Sequence, residues 1–469
     1  MRIRLLGQQV YLSMAVLTAT EAVVFFGSVY AAVMARFHVD PASIPTLKQL
    51  HGAVWPRALV FSVIMVLCLL AFGLYSARQR ARFAGMVVRV SVALIAGFAL
   101  TAALFYMIPT LWMGRGVDGL AAIGGLFGVV ISRVVFAHIV DENVFKRRVL
   151  IYGAGETAAA IAGLRRRSDR RGFFLMGFVA AHQGERAVST DRIVDPKGSL
   201  VQLCQRLGVA EVVVAMDDRR RDFPVRELLQ CRLAGIEVTE VLTFLERETG
   251  RVRLDVLNPS WMIFGPGFRR DPFQRLAARL VDLAGSLLVL PVALPFMLLA
   301  TLAIKLEDGW RAPVLYRQPR VGLGGQTFNV LKFRSMRTDA ERDGRALWAQ
   351  KRDPRVTRVG SFIRKVRIDE LPQILNVLGG QMSLVGPRPE RPQFVSQLAE
   401  RIPYYLERHS VKPGITGWAQ LCYPYGSSEQ DALEKLQYDL FYIKNRTLLF
   451  DLAILLQTVE VVFLGKGAR

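Results

Sequence analysis

Acidic side chains are scarce in this chain: 39 Asp and Glu stand against 61 Lys and Arg, a formal net charge of +22 at pH 7. An excess of that size calls for anionic partners, whether nucleic acid, phosphorylated small molecules or anionic lipid. Histidine and cysteine are scarcer still. The five histidines form no cluster, and Cys68, Cys204, Cys231 and Cys422 make no CxxC pair, so neither a zinc site nor a disulfide framework is expected. Any metal would rest on oxygen ligands, which favours magnesium over zinc. Regularly spaced aromatics among the basic residues are also missing, and no nucleic-acid partner is expected. What the chain has in plenty is apolar residues, 52% of the total. Basic and apolar together point to a membrane protein with a positive cytoplasmic side.

Four apolar stretches, roughly 10–34, 57–76, 84–108 and 119–140, fill the first third. Each is near the ~20 residues that a bilayer core requires. The first is too long for a signal-peptide core of about 7–15 residues and is read as retained. The opening Arg2 and Arg4, then Arg78, Arg80 and Arg82, then Lys146, Arg147 and Arg148, all favour the cytoplasmic face. Four spans return the chain to that face, so the reading is self-consistent. Glu21 and Arg133 are ionisable residues inside these spans. Such charges mark a functional site or pair within the bundle, and pairing is the expectation here.

Next comes RRVLIYGAGETAAAIAGL, a β-branched run ending at Gly153-Ala154-Gly155, with Ala158 completing GxGxxA. The strand–turn–helix context suits a dinucleotide fingerprint. Runs at 173–181, 210–218 and 235–244 alternate with helical segments, so a small parallel α/β, Rossmann-like domain is expected over 145–262. Its second strand ends in Ala180-Ala181-His182, without the acid that holds a ribose hydroxyl. Gly153 and Gly155 are thus only weak cofactor-binding candidates, and a docking or regulatory domain that keeps only the turn is the favoured reading.

A fifth apolar stretch runs from Val281 to Ile304. Arg269, Arg270, Arg275 and Arg279 precede it, and Lys305, Arg311, Arg317 and Arg320 follow, so both flanks favour the same face. Pro291 and Pro295 each remove a helix hydrogen bond mid-segment. A helix–break–helix that enters and leaves by one face satisfies both facts, provided that protein packs on the broken backbone.

The last part is dense in cations. Arg317, Arg320, Lys332 and Arg334 surround a glycine-rich turn, and Arg364, Lys365 and Arg367 precede the acidic pair Asp369-Glu370 in RIDELPQILNVLGG. Pro372 suits a first helical turn and Gly379-Gly380 its end, which sets the acids at a helix N-terminus. Neighbouring arginines push carboxyl pKa values down, so both acids are expected ionised. An ionised aspartate can attack phosphorus, and a glutamate can hold magnesium together with substrate phosphates. On the pair alone, a helix cap with surface ion pairs is the favoured account, because adjacent acids are common.

The ordered set QPRVG, KFRSM, RIDELPQ, GPRP and KPGITGWAQ, behind a proline-broken apolar segment, resembles the bacterial sugar transferase family, the monotopic polyprenyl-phosphate phosphoglycosyl transferases. The match covers about 270–469, and the four spans and middle domain are similar to the front half of its large members. The resemblance implies Asp369 as nucleophile, Glu370 as the magnesium-binding acid, and Arg364 and Arg388 as phosphate-binding residues. Lys332 and Arg334 fall in its basic pair, Arg320 in its QPRVG, Asp439 at a recurrent acid, and Pro295, with the extra Pro291, at the helix break. Leu294 stands where the family usually has serine.

The fold expected is a multidomain membrane protein: a four-helix transmembrane bundle (1–144), the Rossmann-like domain (145–262), and a C-terminal α/β catalytic domain (270–469) with a re-entrant membrane helix at about 281–304. The implied reaction moves a sugar phosphate from a UDP-sugar to undecaprenyl phosphate, releasing UMP, with Mg2+ as cofactor. It would start exopolysaccharide or O-antigen synthesis at the cytoplasmic side of a bacterial inner membrane, in contact with anionic lipid. Glucose or galactose is the sugar expected, and a homodimer is compatible with the resemblance. The rivals are a membrane-anchored nucleotide-sensing regulator or scaffold of polysaccharide assembly, and an NAD-dependent sugar-nucleotide enzyme. The latter lacks both the ribose acid and a Tyr-x-x-x-Lys pair (Tyr442 and Lys444 have the wrong spacing).

Overall fold

The computed structural model describes residues 2–5, 8–38, 53–72, 74–75, 83–139, 146–164, 169, 172–182, 185, 187–195, 198–218, 222–257, 272–338, 340, 354–423, 426 and 428–463. Arg78, Arg80, Arg82, Arg269 and Arg270, used above for orientation, lie outside them. The chain divides into two units, Met1–Thr249 and Gly250–Arg469.

The first unit opens with a short hairpin, β1 (Arg2–Leu5) and β2 (Gln8–Tyr11), and continues into helices α1 (Leu12–His38), α2 (Trp55–Ala71), α3 (Phe83–Met107) and α4 (Arg115–Ile139). Helix α1 packs on α2 and α4, and α3 packs on the same two, closing a four-helix bundle. Phe25, Phe61, Met65, Leu69 and Phe105 fill its interior, while Val23, Ile95 and Phe127 point outward. Helices α1, α3 and α4 are long and apolar enough to cross a membrane. The second expected span falls on α2, whose 17 residues rise about 25 Å at 1.5 Å each, short of a full hydrocarbon core. Pro56 in its first turn suits the helix start.

Glu21 and Arg133 meet inside this bundle. Arg133 Nε lies 2.7 Å from Glu21 Oε1, its Nη2 donates to Oε2 at 3.0 Å, and the Tyr75 hydroxyl donates to the same carboxylate. Arg133 also donates to the Leu74 carbonyl at 3.1 Å. A charge without such partners in an apolar bundle costs several kcal/mol, so the pair is a structural necessity.

The remainder of this unit is a four-stranded parallel sheet ordered β4 (Phe173–Val179), β3 (Arg147–Tyr152), β5 (Glu211–Val214), β6 (Glu237–Glu240). Helices α5 (Glu156–Ala162), α6 (Leu200–Leu207), α7 (Val225–Leu233) and α8 (Val241–Thr249) join or follow the strands. Leu150, Tyr152, Val212 and Val214 share one core with Leu203, Cys204 and Leu228 of α6 and α7. Their neighbours Val149, Ile151 and Val213 are equally buried, so both faces are covered, as parallel strands require. The run 235–244 does not stay extended: it turns helical at Val241, where Val241, Leu242, Phe244 and Leu245 present a buried stripe. Gly153 has φ +122°, and a Cβ there would sit 2.3 Å from the Ala215 carbonyl, which is why glycine ends β3 beside β5.

In the second unit, α9 (Pro272–Asp308) precedes a hairpin, β7 (Leu315–Val321) and β8 (Thr327–Phe333). Helices α10 (Arg358–Lys365) and α11 (Gln373–Leu378), the parallel pair β9 (Ser383–Val385) and β10 (Gly414–Thr416), and helices α12 (Pro392–Arg401), α13 (Trp418–Cys422), α14 (Glu429–Asn445) and α15 (Leu448–Phe463) complete it. Trp418 is a packing residue. Its Nε1 donates to the Gly250 carbonyl at 2.8 Å, and its ring lies 5.2 Å from Phe450 and 6.2 Å from Phe441. Helix α15 also docks, through Asp451 on the Tyr442 hydroxyl (2.7 Å) and Thr458 on Thr416 (2.7 Å).

Helix α9 differs from the expected helix–break–helix, because its helical assignment continues through Pro291 and Pro295. Each proline forfeits one backbone donor, but its fixed φ is itself helical, so two such losses need not end the helix. Both ends of α9 dock on the same unit. Near its start, Arg279 donates to the Val377 and Leu378 carbonyls at 2.6 and 2.7 Å. Asp282 accepts from Ser383 Oγ at 2.9 Å and from the Leu384 amide at 2.8 Å. Near its end, Ala300 and Ile304 are buried with Phe333 and Ile363. Between them Leu287, Leu288, Val292, Leu298 and Leu299 are exposed.

Candidate active site

Asn376 brings the basic hairpin to the acidic pair. Its Oδ1 accepts the Leu331 amide at 2.9 Å, and its Nδ2 donates to the Asn329 carbonyl and to Gln381 at 2.8 Å each. Buried on α11, it thus takes the place of a strand neighbour for β8 and fixes Lys332 near the turn Ile368–Glu370 that precedes α11. That 3-10 turn starts from Arg367, whose φ of +61° is left-handed. The acids therefore stand one step ahead of the helix expected to carry them.

Glu370 is the hub. Arg388 Nη2 donates to its Oε1 at 2.7 Å, Lys332 Nζ lies 3.5 Å from the same oxygen, and Arg367 approaches Oε2 at 3.8 Å. Burial opposes ionisation of Glu370, yet Arg388, Lys332 and Arg367 outweigh it and hold the carboxyl well below the usual range. Asp369 behaves otherwise. Burial, reinforced by the Glu370 charge, pushes its pKa up against Lys332, Arg364 and Arg388. The expectation that both acids shift down therefore fails for Asp369, because the nearest cations are spent on its neighbour. Among the described residues, the Asp369 carboxylate takes no hydrogen bond or ion pair. Burial also brings Lys332 down to about 8, against the Glu370 charge and with Arg388 and Arg320.

Arg388 owes its place to a crowded backbone. The Gly386 amide donates to the Thr416 carbonyl at 2.9 Å, and the Gly414 amide to Pro387 at 3.0 Å. A Cβ on Gly414 would lie 2.1 Å from the Gly386 nitrogen, so only glycines let β9 and β10 run together into the rigid Pro387-Arg388-Pro389. Arg320 buttresses the other side, donating to the Pro389 carbonyl at 3.1 Å and to Glu390 at 3.3 Å.

The fold thus gathers Lys332, Arg364, Arg388 and, one layer back, Arg320 around Asp369 and Glu370. It does not bring Arg334 or Asp439 there. Arg334 is buried, and its Nη2 donates to Asp308 at 2.6 Å, tying β8 to the end of α9. Asp439, 2% exposed, accepts from Arg408 at 2.9 Å. Pro291 and Pro295 lie on the exposed middle of α9. Arg367 and Arg408 were absent from the expected site; proximity to the acids pointed to Arg367, and no motif marked Arg408. At the glycine turn of the first unit, Ala154 N–H donates to Glu185 at 2.8 Å, and Glu156 and Thr157 N–H donate to Asp217 at 2.9 and 2.8 Å. A phosphate at Gly153 and Gly155 would have to displace two of the protein's own carboxylates.

No group of three or more His, Cys, Asp or Glu gathers as a metal cage among the described residues. An adjacent carboxylate pair fits magnesium nonetheless, since that ion takes one or two carboxylates and completes its shell with water and substrate phosphates. Glu370 Oε2, with Arg367 only at 3.8 Å, keeps capacity for it.

Residues 273–465 match the family described as bacterial sugar transferase. A UDP-glucose:undecaprenyl-phosphate glucose-1-phosphate transferase of Xanthomonas campestris pv. campestris is 33% identical over 375 residues, 76% of this chain and 75% of the relative. A UDP-N-acetylgalactosamine-undecaprenyl-phosphate N-acetylgalactosaminephosphotransferase of Aeromonas hydrophila is 43% identical over 244 residues, 52% of this chain and 56% of the relative. An Escherichia coli K12 UDP-glucose:undecaprenyl-phosphate glucose-1-phosphate transferase is 43% identical over 199 residues, 42% of each chain. This chain belongs to the bacterial sugar transferase family. It spans little more than half of the Aeromonas relative and under half of the Escherichia one.

Proposed function

We propose that the protein transfers a hexose 1-phosphate from a UDP-sugar to undecaprenyl phosphate through an aspartyl-phosphosugar on Asp369. The observation that carries this reading is the unequal acidic pair: Glu370 engaged by Arg388, Lys332 and Arg367, and Asp369 beside it without a bonded partner among the described residues. In the first step a carboxylate oxygen of Asp369 attacks the phosphorus that bears the sugar. The bond to the UMP oxygen breaks and UMP leaves with the electron pair. In the second, an oxygen of undecaprenyl phosphate attacks the same phosphorus and the Asp369 carboxylate departs. Arg388, Lys332 and Arg364 offset repulsion between the carboxylate and the diphosphate. Magnesium, held by Glu370 with Asp369 beside it, would neutralise phosphate charge.

The docking of both ends of α9 on one unit supports a continuous helix that bends at its two prolines and dips into the bilayer from one face. Its two ends rest on one unit while its middle exposes leucines, an arrangement that suits a lipid-bound acceptor. With the Lys and Arg flanks of α9 favouring the cytoplasm, this reading sets the site at the cytoplasmic side of a bacterial inner membrane, at the first membrane step of exopolysaccharide or O-antigen synthesis.

Membranes holding the protein should release UMP from UDP-glucose or UDP-N-acetylgalactosamine in the presence of Mg2+ and undecaprenyl phosphate. Asp369→Asn should abolish release at unchanged protein level. Equal activity in that variant would overturn the covalent route.

A further inference from the structure

Asp439 resembles a substrate-binding acid in sequence, but its surroundings give it another task. It is almost fully buried, and its Oδ2 accepts from Arg408 Nη2 at 2.9 Å. Arg408 is equally enclosed. Its Nη1 donates to the Tyr405 hydroxyl at 2.8 Å, and the Nη2 that meets Asp439 also donates to the backbone carbonyl of Arg388 at 3.0 Å. The far side of the same loop is held by Arg320 on the Pro389 carbonyl at 3.1 Å. The Arg388 side chain in turn reaches Glu370 at 2.7 Å.

We propose that Arg408, locked by Asp439 and Tyr405, is a positioning residue that sets the Arg388 backbone so that the Arg388 guanidinium meets Glu370, and that neither Arg408 nor Asp439 touches substrate. Two features make this a strut and not a plain core ion pair. Arg408, a buried guanidinium with donors to place beyond its pair with Asp439, places one on the carbonyl of the residue that enters the site, so the pair is tied to that loop. The loop between two prolines is also short and stiff, so a fixed carbonyl fixes the direction of the side chain. Supporting contacts of this kind typically cost 10- to 100-fold in activity when removed.

The proposal rests on the transferase reading, and a double-mutant cycle in the full-length membrane protein tests it by UMP release. Asp439→Asn and Arg408→Met should each lower kcat about 10- to 100-fold. In an Arg388→Ala background either change should cost less than about threefold, because the group they position is already gone. Equal losses in both backgrounds would overturn the strut, since a substrate contact or a general folding defect multiplies instead. Tyr405→Phe, which removes one anchor, should follow the same pattern with a smaller loss.

If Arg408→Met does not accumulate, Asp439→Asn, which keeps an acceptor and loses only the charge, carries the cycle. A second readout needs no turnover: hydrogen–deuterium exchange of the segment 386–391 should accelerate in Asp439→Asn while that of α7 stays unchanged. Unchanged exchange at 386–391 would overturn the strut even if the native protein released no UMP, a result that would count against the transferase reading alone.

Discussion

Lys332 is the residue at which the electrostatics make the sharpest prediction. Its ammonium lies 3.5 Å from Glu370 Oε1, an attraction of about 5 kcal/mol at an effective dielectric of about 20. Burial, joined by Arg388 and Arg320, nevertheless brings it down to about 8. Relative to an ordinary lysine near 10.4, that is about 3 kcal/mol against the charged form. For lysine the charged form is the protonated one, so raising the pH through about 8 removes the cation. About half the molecules carry it at pH 8 and about a tenth at pH 9. If Lys332 must be charged to offset the diphosphate, UMP release should fall about tenfold per pH unit above about 8. Lys332→Arg should shift that limb beyond pH 10, because guanidinium does not titrate there. The height of its profile is immaterial to the argument. An alkaline limb that stays at pH 8 in Lys332→Arg would refute it. The acid limb should lie above the ordinary aspartate range, since burial and Glu370 raise Asp369.

Removing either partner of the bundle pair, by Glu21→Gln or Arg133→Met, should destabilise the detergent-solubilised protein by about 3–5 kcal/mol. The thermal midpoint should drop in each single variant and recover in part in the charge exchange Glu21→Arg with Arg133→Glu. A cysteine placed at the exposed Arg311, beyond the end of α9, should resist an impermeant thiol reagent added to intact cells and react once the membrane is opened. Labelling in intact cells would place the catalytic unit on the far side of the bilayer and end the one-face reading of α9.

Local features were legible in the sequence where local chemistry decides them. Apolar runs located α1, α2, α3, α4 and α9, and short apolar runs, β-branched in β3 and β5 and aromatic-rich in β4, located three of the parallel strands. The neighbourhood of Asp369 and Glu370 was legible in part because Arg364 and Arg367 precede them in the chain, whereas Lys332 and Arg388, distant in sequence, were placed there only by the family resemblance. What failed were pairings that depend on distant geometry. Lys332 lies on β8 and Arg334 one residue past its end, where strand alternation no longer sets the direction of the side chain; the fold turns Arg334 to Asp308 instead. The glycine turn was read correctly as a turn. Its occupants, Glu185 and Asp217, come from 31 and 60 or 61 residues further along and carry no motif. Proline is a poor guide to a helix end when the helix is held at both ends by tertiary contacts, as α9 is by Arg279, Asp282 and Ile304.

Asp369 and Glu370 are adjacent carboxylates with nearly equal intrinsic pKa values, yet their surroundings push them in opposite directions. A 3-10 turn advances about 120° per residue, so adjacent side chains point apart, and the same cations bond one and only approach the other. Glu370 takes Arg388 and Lys332, and that choice does two things for Asp369. It keeps the cations near enough to draw an anionic diphosphate, and it leaves the Asp369 oxygens with lone pairs that no arginine among the described residues holds. A guanidinium bonded directly to the attacking oxygen would have to be stripped away before a bond to phosphorus could form, adding its strength to the barrier. The proposed nucleophile is thus activated less by its own shift than by the neighbour that absorbs the positive charge. It follows that the position of Arg388, and of the Arg408–Asp439 pair behind it, bears on attack at phosphorus even though none of the three supplies the attacking atom.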